Sequence, residues 1–204
     1  MKRSTGIRRL GDVADGLARL AAWSDVKPQA GYVYGDLVEG HAEFERVQLV
    51  ITVDEPADAI PWMARPPHLE AAGAMVRFDR LALDLTWRSN SWPTWNHRIV
   101  GPVRIWSATD GLDEAALAAL KDPDPSGLDR ERPANDEELL AQLYIEREVA
   151  RRHFDTVLDQ FYDRDWRGRH KNSQYVRPED HLWWAAAGYR ELDNAISERT
   201  DNDD

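Results

Sequence analysis

Apolar residues recur along the first segment at three- and four-residue steps: Ile7, Leu10, Val13, Leu17 and Leu20. This spacing predicts one apolar face of a helix over residues 6–22. Pro28 and Gly31 break the pattern, and Tyr32, Val33 and Tyr34 form a short β-prone run ended by Gly35. Phe44 to Val53 reads as a strand, closed by a loop carrying Asp54, Pro56 and Asp58. Pro66 and Pro67 suit a helix start, because the first turn has no use for their missing N–H groups. The buried face expected there is Leu69, Met75, Val76 and Phe78. From Leu81 to Trp87, Leu81, Leu83, Leu85 and Trp87 alternate with Ala82, Asp84, Thr86 and Arg88, the period of a strand with one apolar face. Pro102 to Trp106 is expected as a third, edge strand, and 113–120 as a short alanine-rich helix.

Residues 121–135 carry three prolines and a glycine amid charge, the composition of a linker. Asn135 followed by Glu138 predicts a helix start of the capping-box type. The helix should run to Tyr162 and bury Leu140, Leu143, Tyr144, Phe154, Val157, Leu158 and Phe161. A polar turn over 163–176 then leads to Pro178, which opens a last helix carrying Leu182, Trp183, Ala186, Tyr189, Leu192 and Ile196. The two helices should pack antiparallel and bury Phe154, Leu158, Trp183 and Tyr189. The fold class is therefore α/β (α+β): a mixed sheet of about three to five strands flanked by helices, followed by a C-terminal helical hairpin. The expected division is an α/β part over 1–121, a linker over 122–134, the hairpin over 135–199 and a disordered tail over 200–204.

Composition narrows what such a fold could do. The chain has 204 residues, enough to bury about 70% of its unfolded surface without staples. It has no cysteine, which removes disulfides, thiolate metal sites and cysteine nucleophiles and suits a reducing cytoplasm. No stretch reaches the roughly 20 apolar residues of a membrane span, and the amphipathic N-terminus does not read as a signal peptide. The formal net charge of −11 repels phosphate backbones, so broad nucleic-acid binding is not expected.

Candidate chemistry falls in a few places. Trp92-Pro-Thr-Trp95-Asn96-His97-Arg98 collects two indoles, an amide, an imidazole and a guanidinium within seven residues. Such a set could line a small-molecule pocket beside the sheet edge, or could be a loop closing the core. Arg164 to Lys171 is the only dense basic run, suited either to phosphate contact or to a solvated turn. His181 follows the acidic start of the last helix, where it reads as a first-turn residue. No zinc, P-loop, nucleophile-elbow or dinucleotide motif is present.

Residues 32–53 (YVYGDLVEGHAEFERVQLVITV) resemble the opening of the nucleotidyltransferase fold of the polymerase-β-like and minimal nucleotidyltransferases. The resemblance covers the first helix, the Gly35-Asp36 turn, Gly40 and the following strand, with nine residues between Asp36 and Arg46. It implies a helix between the two strands, and carboxylates at alternate positions of the second that hold two metal ions for nucleotide chemistry. This chain departs from that set. The carboxylate positions fall on Arg46 and Gln48, the serine position is Asp36, and a guanidinium does not ligate Mg²⁺. The site so implied is degenerate, formed by Gly35, Asp36, Arg46, Gln48 and Asp84, with an ion pair expected between Arg46 and Asp84 or an equivalent carboxylate. An active alternative would draw its carboxylates from Glu43, Glu45 and Asp84 and would need Mg²⁺; otherwise no cofactor is implied. Arg147 with His153, and Arg164 with His170, also match the loose Arg–His spacing of the HEPN ribonucleases.

Three readings follow. The first is a non-catalytic binding or regulatory protein on a degenerate nucleotidyltransferase-like scaffold, with a small-molecule or nucleotide ligand. The second is an active metal-dependent nucleotidyltransferase. The third is an antitoxin or immunity-type partner of another protein, for which an acidic surface suits a basic partner.

Overall fold

A computed structural model describes residues 1–171 and 176–201. The first apolar stripe forms helix α1 (Arg3–Trp23), which buries Ile7, Leu10, Val13, Leu17 and Leu20. Strands β1 (Pro28–Tyr34), β2 (Val47–Val53), β3 (Leu83–Ser89), β4 (Val103–Ser107) and β5 (Gly111–Leu112) make one mixed sheet in the order β3-β2-β1-β4-β5. β1 pairs antiparallel with both β2 and β4, whereas β2 and β3 run parallel. A parallel pair needs a crossover, and residues 54–82 supply it with helix α2 (Pro67–Met75). Helix α3 (Glu114–Ala119) follows β5.

The sheet is covered on both faces. Val33, Leu49, Ile51, Leu83 and Trp87 join α1, α2 and α3 in the larger core. On the other face Ala30, Tyr32, Tyr34 and Val50 pack with Leu143, Leu192 and Ile196 of helices α4 (Asp136–Gln160) and α6 (Pro178–Thr200). α4 and α6 run antiparallel, with Arg147 paired to Asp193 and the Phe154 ring stacked on Tyr189. Asn135 caps α4 by accepting from the Glu138 N–H at 2.8 Å, while the Glu138 carboxylate takes the N–H of Ala134.

Several expectations need correction. β4 lies between β1 and β5, so it is not an edge strand; β3 is. The connection over 38–46 contains no helix. Met75 is exposed, because α2 ends there and the chain turns away through Arg77 in the left-handed region. The expected polar turn over 163–176 contains helix α5 (Arg164–Lys171), whose first turn is capped by Asp163 accepting from the Trp166 N–H at 2.6 Å. Residues 172–175 of that turn lie outside the described residues. Trp183 is 62% exposed, and Leu158 and Tyr144 also face outward. Of the expected residues the hairpin buries Leu143, Val157, Leu192 and Ile196, with Ala185 beside them, while Phe154 and Tyr189 are half-buried. α6 continues through Thr200, past the expected hairpin end at residue 199, and residues 202–204 of the expected tail lie outside the described residues. The stretch over 121–135 has little regular structure but is anchored: Arg130 donates to the Val38 carbonyl and Glu131 N–H to the Pro102 carbonyl. No helix among the described residues is long and apolar enough to cross a membrane.

Candidate functional site

Strand register fixes the floor of the site. Tyr34, Gln48 and Asp84 are partners across β1, β2 and β3, and Ala30, Thr52 and Arg88 form a second row on the same face. Gln48 serves the glycine turn. Its side-chain carbonyl accepts the Asp36 N–H at 3.0 Å, and a Cβ at Gly35, where φ is +66°, would lie 1.9 Å from that oxygen. Arg46 precedes the first paired residue of β2, so strand alternation does not carry it into the row. Its guanidinium is exposed and donates to the Leu83 carbonyl at 3.3 Å, and it forms no ion pair with Asp84. The expected Arg46–Asp84 pair is therefore absent, and no other carboxylate pairs with Arg46 among the described residues.

Glu43 and Glu45 are exposed in the connection before β2, and they do not converge with Asp84. Among the described residues, the one group of three possible metal donors within 4.8 Å of one another is Asp36, Glu39 and His41 on the surface of the glycine turn. Arg147 is engaged by Asp193 and lies over the Tyr144 ring, and His170 donates through its Nδ1–H to the Trp166 carbonyl at 2.8 Å, with no Arg–His pairing in either case among the described residues.

Among the described residues, the ion pair buried on both sides lies in the second row. Arg88 and Glu146, 3% and 2% exposed, meet in a two-pronged contact at 2.6 and 3.1 Å. Arg88 also donates to the carbonyls of Pro93 and Trp95, and Glu146 accepts from Asn96 and Gln142. Every prong is engaged, the condition under which a buried pair offsets its own desolvation. This network fixes the tryptophan-rich loop. Asn96 turns the loop by accepting the N–H groups of Arg98 and Ile99, Trp95 is in the interior, and Trp92 donates to the Ala57 carbonyl. The loop is thus mainly a closure of the core, and only its Arg98 reaches the cleft described next.

That cleft wraps around the free edge of β3. Its volume is about 180 Å³, and its walls include the indoles of Trp62, Trp87 and Trp184 and the carboxylates of Glu70, Asp84 and Glu191. A short turn over 61–65 forms one side, with the Ala64 N–H on the Pro61 carbonyl and Met63 held at φ +61°, a strained conformation for a residue with a Cβ. α6 can approach this turn because residue 188 is glycine: a Cβ there would sit 2.2 Å from the Trp62 carbonyl oxygen. Glu191 of α6 accepts from Trp62 Nε1 at 3.2 Å, His97 Nε2 at 3.1 Å and Arg98 at 3.2 Å. Burial pushes the Glu191 carboxyl up, but His97, Arg98 and Trp62 outweigh it and hold the group below its ordinary range. Burial raises the Glu70 carboxyl, with Arg65 opposing. Burial and the nearby Asp84 charge raise the Tyr34 hydroxyl, with Thr86 and Arg98 pulling the other way. Arg65 lies over the Trp184 ring at 4.5 Å.

Of the residues expected to bind a ligand, the structure brings only Arg98 and Asp84 to this cleft. Trp62, Arg65, Glu70, Trp184 and Glu191 were not foreseen as one site. The available signal was local: Pro61 and the Pro66-Pro67 pair bracket Trp62 to Arg65 and force a rigid turn.

Fold and site together define an α+β protein with a sheet covered on both faces and a small aromatic, acidic cleft at its edge strand. The chain belongs to the family described as a domain of unknown function, DUF7711, which it matches over residues 1–198. It matches no curated protein and no solved structure.

Proposed function

We propose that this chain is a non-catalytic binding protein whose ligand occupies the cleft at the edge of β3. One observation carries the reading: indoles from three separate segments and the carboxylates of Glu70 and Asp84, which have no hydrogen-bond or ion-pair partner among the described residues, surround one cavity. Concave sites with apolar walls and a few convergent polar groups are the usual form of small-molecule sites. Against catalysis through metal-bound carboxylates stands the dispersal of Glu43, Glu45 and Asp84. The nucleotidyltransferase-like reading of the scaffold draws its support from the Gly35 turn and the row Gln48–Asp84, and it bears on the scaffold only.

The test is a thermal-shift screen of nucleotides with and without Mg²⁺, sugars, carboxylates, phosphate and amines, because a ligand that binds only the folded chain raises its melting temperature. A compound that binds should quench tryptophan fluorescence and lose its effect in Trp184→Ala. A panel without a stabilising compound, or binding indifferent to Trp184 and Asp84, overturns the reading.

A further inference from the structure

The charges around the cleft are unequal. Arg98 is already paired with Glu191 at 3.2 Å. Arg65 is exposed and makes no ion pair within the described residues; it stacks on Trp184 at 4.5 Å and feels the Glu70 charge. The lining thus holds three carboxylates against two guanidinium groups. Asp84 is exposed on the edge strand and has no hydrogen-bond or ion-pair partner among the described residues. Past Asp84 the cleft continues into a second cavity of about 390 Å³, which shares Arg65, Glu70, Asp84, Leu85 and Trp87 and adds one further acid, Asp79, and one further cation, Arg46, so the carboxylates still outnumber the guanidinium groups by one. A flat cation gains from an indole face, and it gains more where unpaired carboxylates flank that face.

We propose that the cleft recognises a guanidinium group and that Arg65 is its resident, displaceable occupant; this rests on the binding reading above. The Trp184 face already holds a guanidinium from the chain itself. An incoming guanidinium exchanges with Arg65 on the indole, so the stacking energy nearly cancels. Arg65 is already exposed and returns to water at little cost. The selectivity of the exchange then comes from Asp84 and Glu70, which an external ligand can approach from the open groove while Arg65 is tethered to the strained turn at Met63. The group could belong to a small free molecule or to an arginine side chain of a peptide lying along β3. The continuous groove leaves room for either.

The experiment titrates the full chain with methylguanidinium chloride and with N-acetylarginine amide, each against NaCl of equal ionic strength, and reads tryptophan fluorescence and melting temperature. Both probes should bind. Arg65→Ala should bind them about fivefold more tightly, because the internal competitor is gone. Asp84→Asn, a change at an exposed position, should weaken binding by about fivefold at low salt, and the difference should shrink as salt is added. Tighter binding of the amide than of methylguanidinium identifies a chain-borne group; equal binding identifies a free one. Unchanged affinity in Arg65→Ala overturns the resident role. If phosphate or a sugar binds in a Trp184-dependent manner and neither guanidinium probe does, the cation proposal falls while the cleft remains a binding site. If nothing in either panel binds, both fall.

Discussion

Arg88 and Glu146 illustrate how much one side chain can be asked to hold. Arg88 sits on the polar side of the Leu81–Trp87 alternation, a position that reads as solvated, yet α4 covers it and supplies Glu146 from 58 residues away. The pair is useful because nothing in it is left over: two backbone carbonyls, an asparagine and a glutamine complete it. Removing one partner therefore strands a buried charge. Glu146→Ala should cost about 3–5 kcal/mol in urea unfolding, whereas Arg88→Met with Glu146→Leu should recover most of that loss. A single variant that loses less than about 1 kcal/mol would show that water reaches Arg88. Gln48 makes the same point more modestly. Its side-chain carbonyl is spent on a backbone N–H of the glycine turn.

Among the elements, the α4–α6 hairpin separates periodicity from orientation. Successive residues on a helix point about 100° apart, so Trp183 and Trp184 cannot share a face. Trp184 turns to the cleft and Trp183 to solvent. Trp183→Ala should change stability by less than about 0.5 kcal/mol, while Leu192→Ala, at a fully buried position, should cost about 2–5 kcal/mol. Equal losses in chemical denaturation would reverse this assignment. At the other end of α6, His181 lies 4.5 Å from the His170 ring and 5.8 Å from Trp166 of α5, and its Nε2 is buried without a hydrogen-bond partner among the described residues. Burial, with His170 and His153 facing it and only Asp180 opposing, lowers its pKa from 6.5 to about 4. As pH falls from 6.5 to 4 the unfolded chain takes up a proton that the folded chain refuses, so stability should fall across that window. Urea midpoints measured through this range should decline less in His181→Gln. Parallel curves for the two proteins would exclude His181 as the source.

At the level of the whole molecule, the hairpin and the sheet share one core. Tyr32, Tyr34 and Val50 belong to one buried cluster with Leu143, Leu192 and Ile196, and the Arg88–Glu146 pair crosses the same boundary. The proline-rich stretch over 121–135 connects two parts that bury each other. Far-ultraviolet circular dichroism and tryptophan fluorescence should therefore report one coincident unfolding transition. A fragment ending before Asn135 should expose the sheet face and fail to give a cooperative transition. Two separated transitions in the full chain would mean that the hairpin is an independent unit.

The sequence by itself determined the helices of strong period, the strands of strict alternation, the capped start of α4 and the α+β class, because these depend on neighbours three or four residues apart, or two. It could not decide which faces were covered. Asp84, Thr86 and Arg88 share one polar row in the sequence, yet Arg88 is interior, Thr86 is half-buried and Asp84 is open, as α4 and α6 cover the row unevenly. α5 stayed hidden because eight residues, five of them basic, carry almost no apolar period; Trp166 and the Asp163 cap become decisive only once α6 is there to pack against. The cleft was beyond local reading for the same reason. Tyr34, Trp62, Asp84, Arg98 and Trp184 come from distant parts of the chain. They meet because β3 lies parallel to β2 at the sheet edge and because Gly188 lets α6 close on the Trp62 turn.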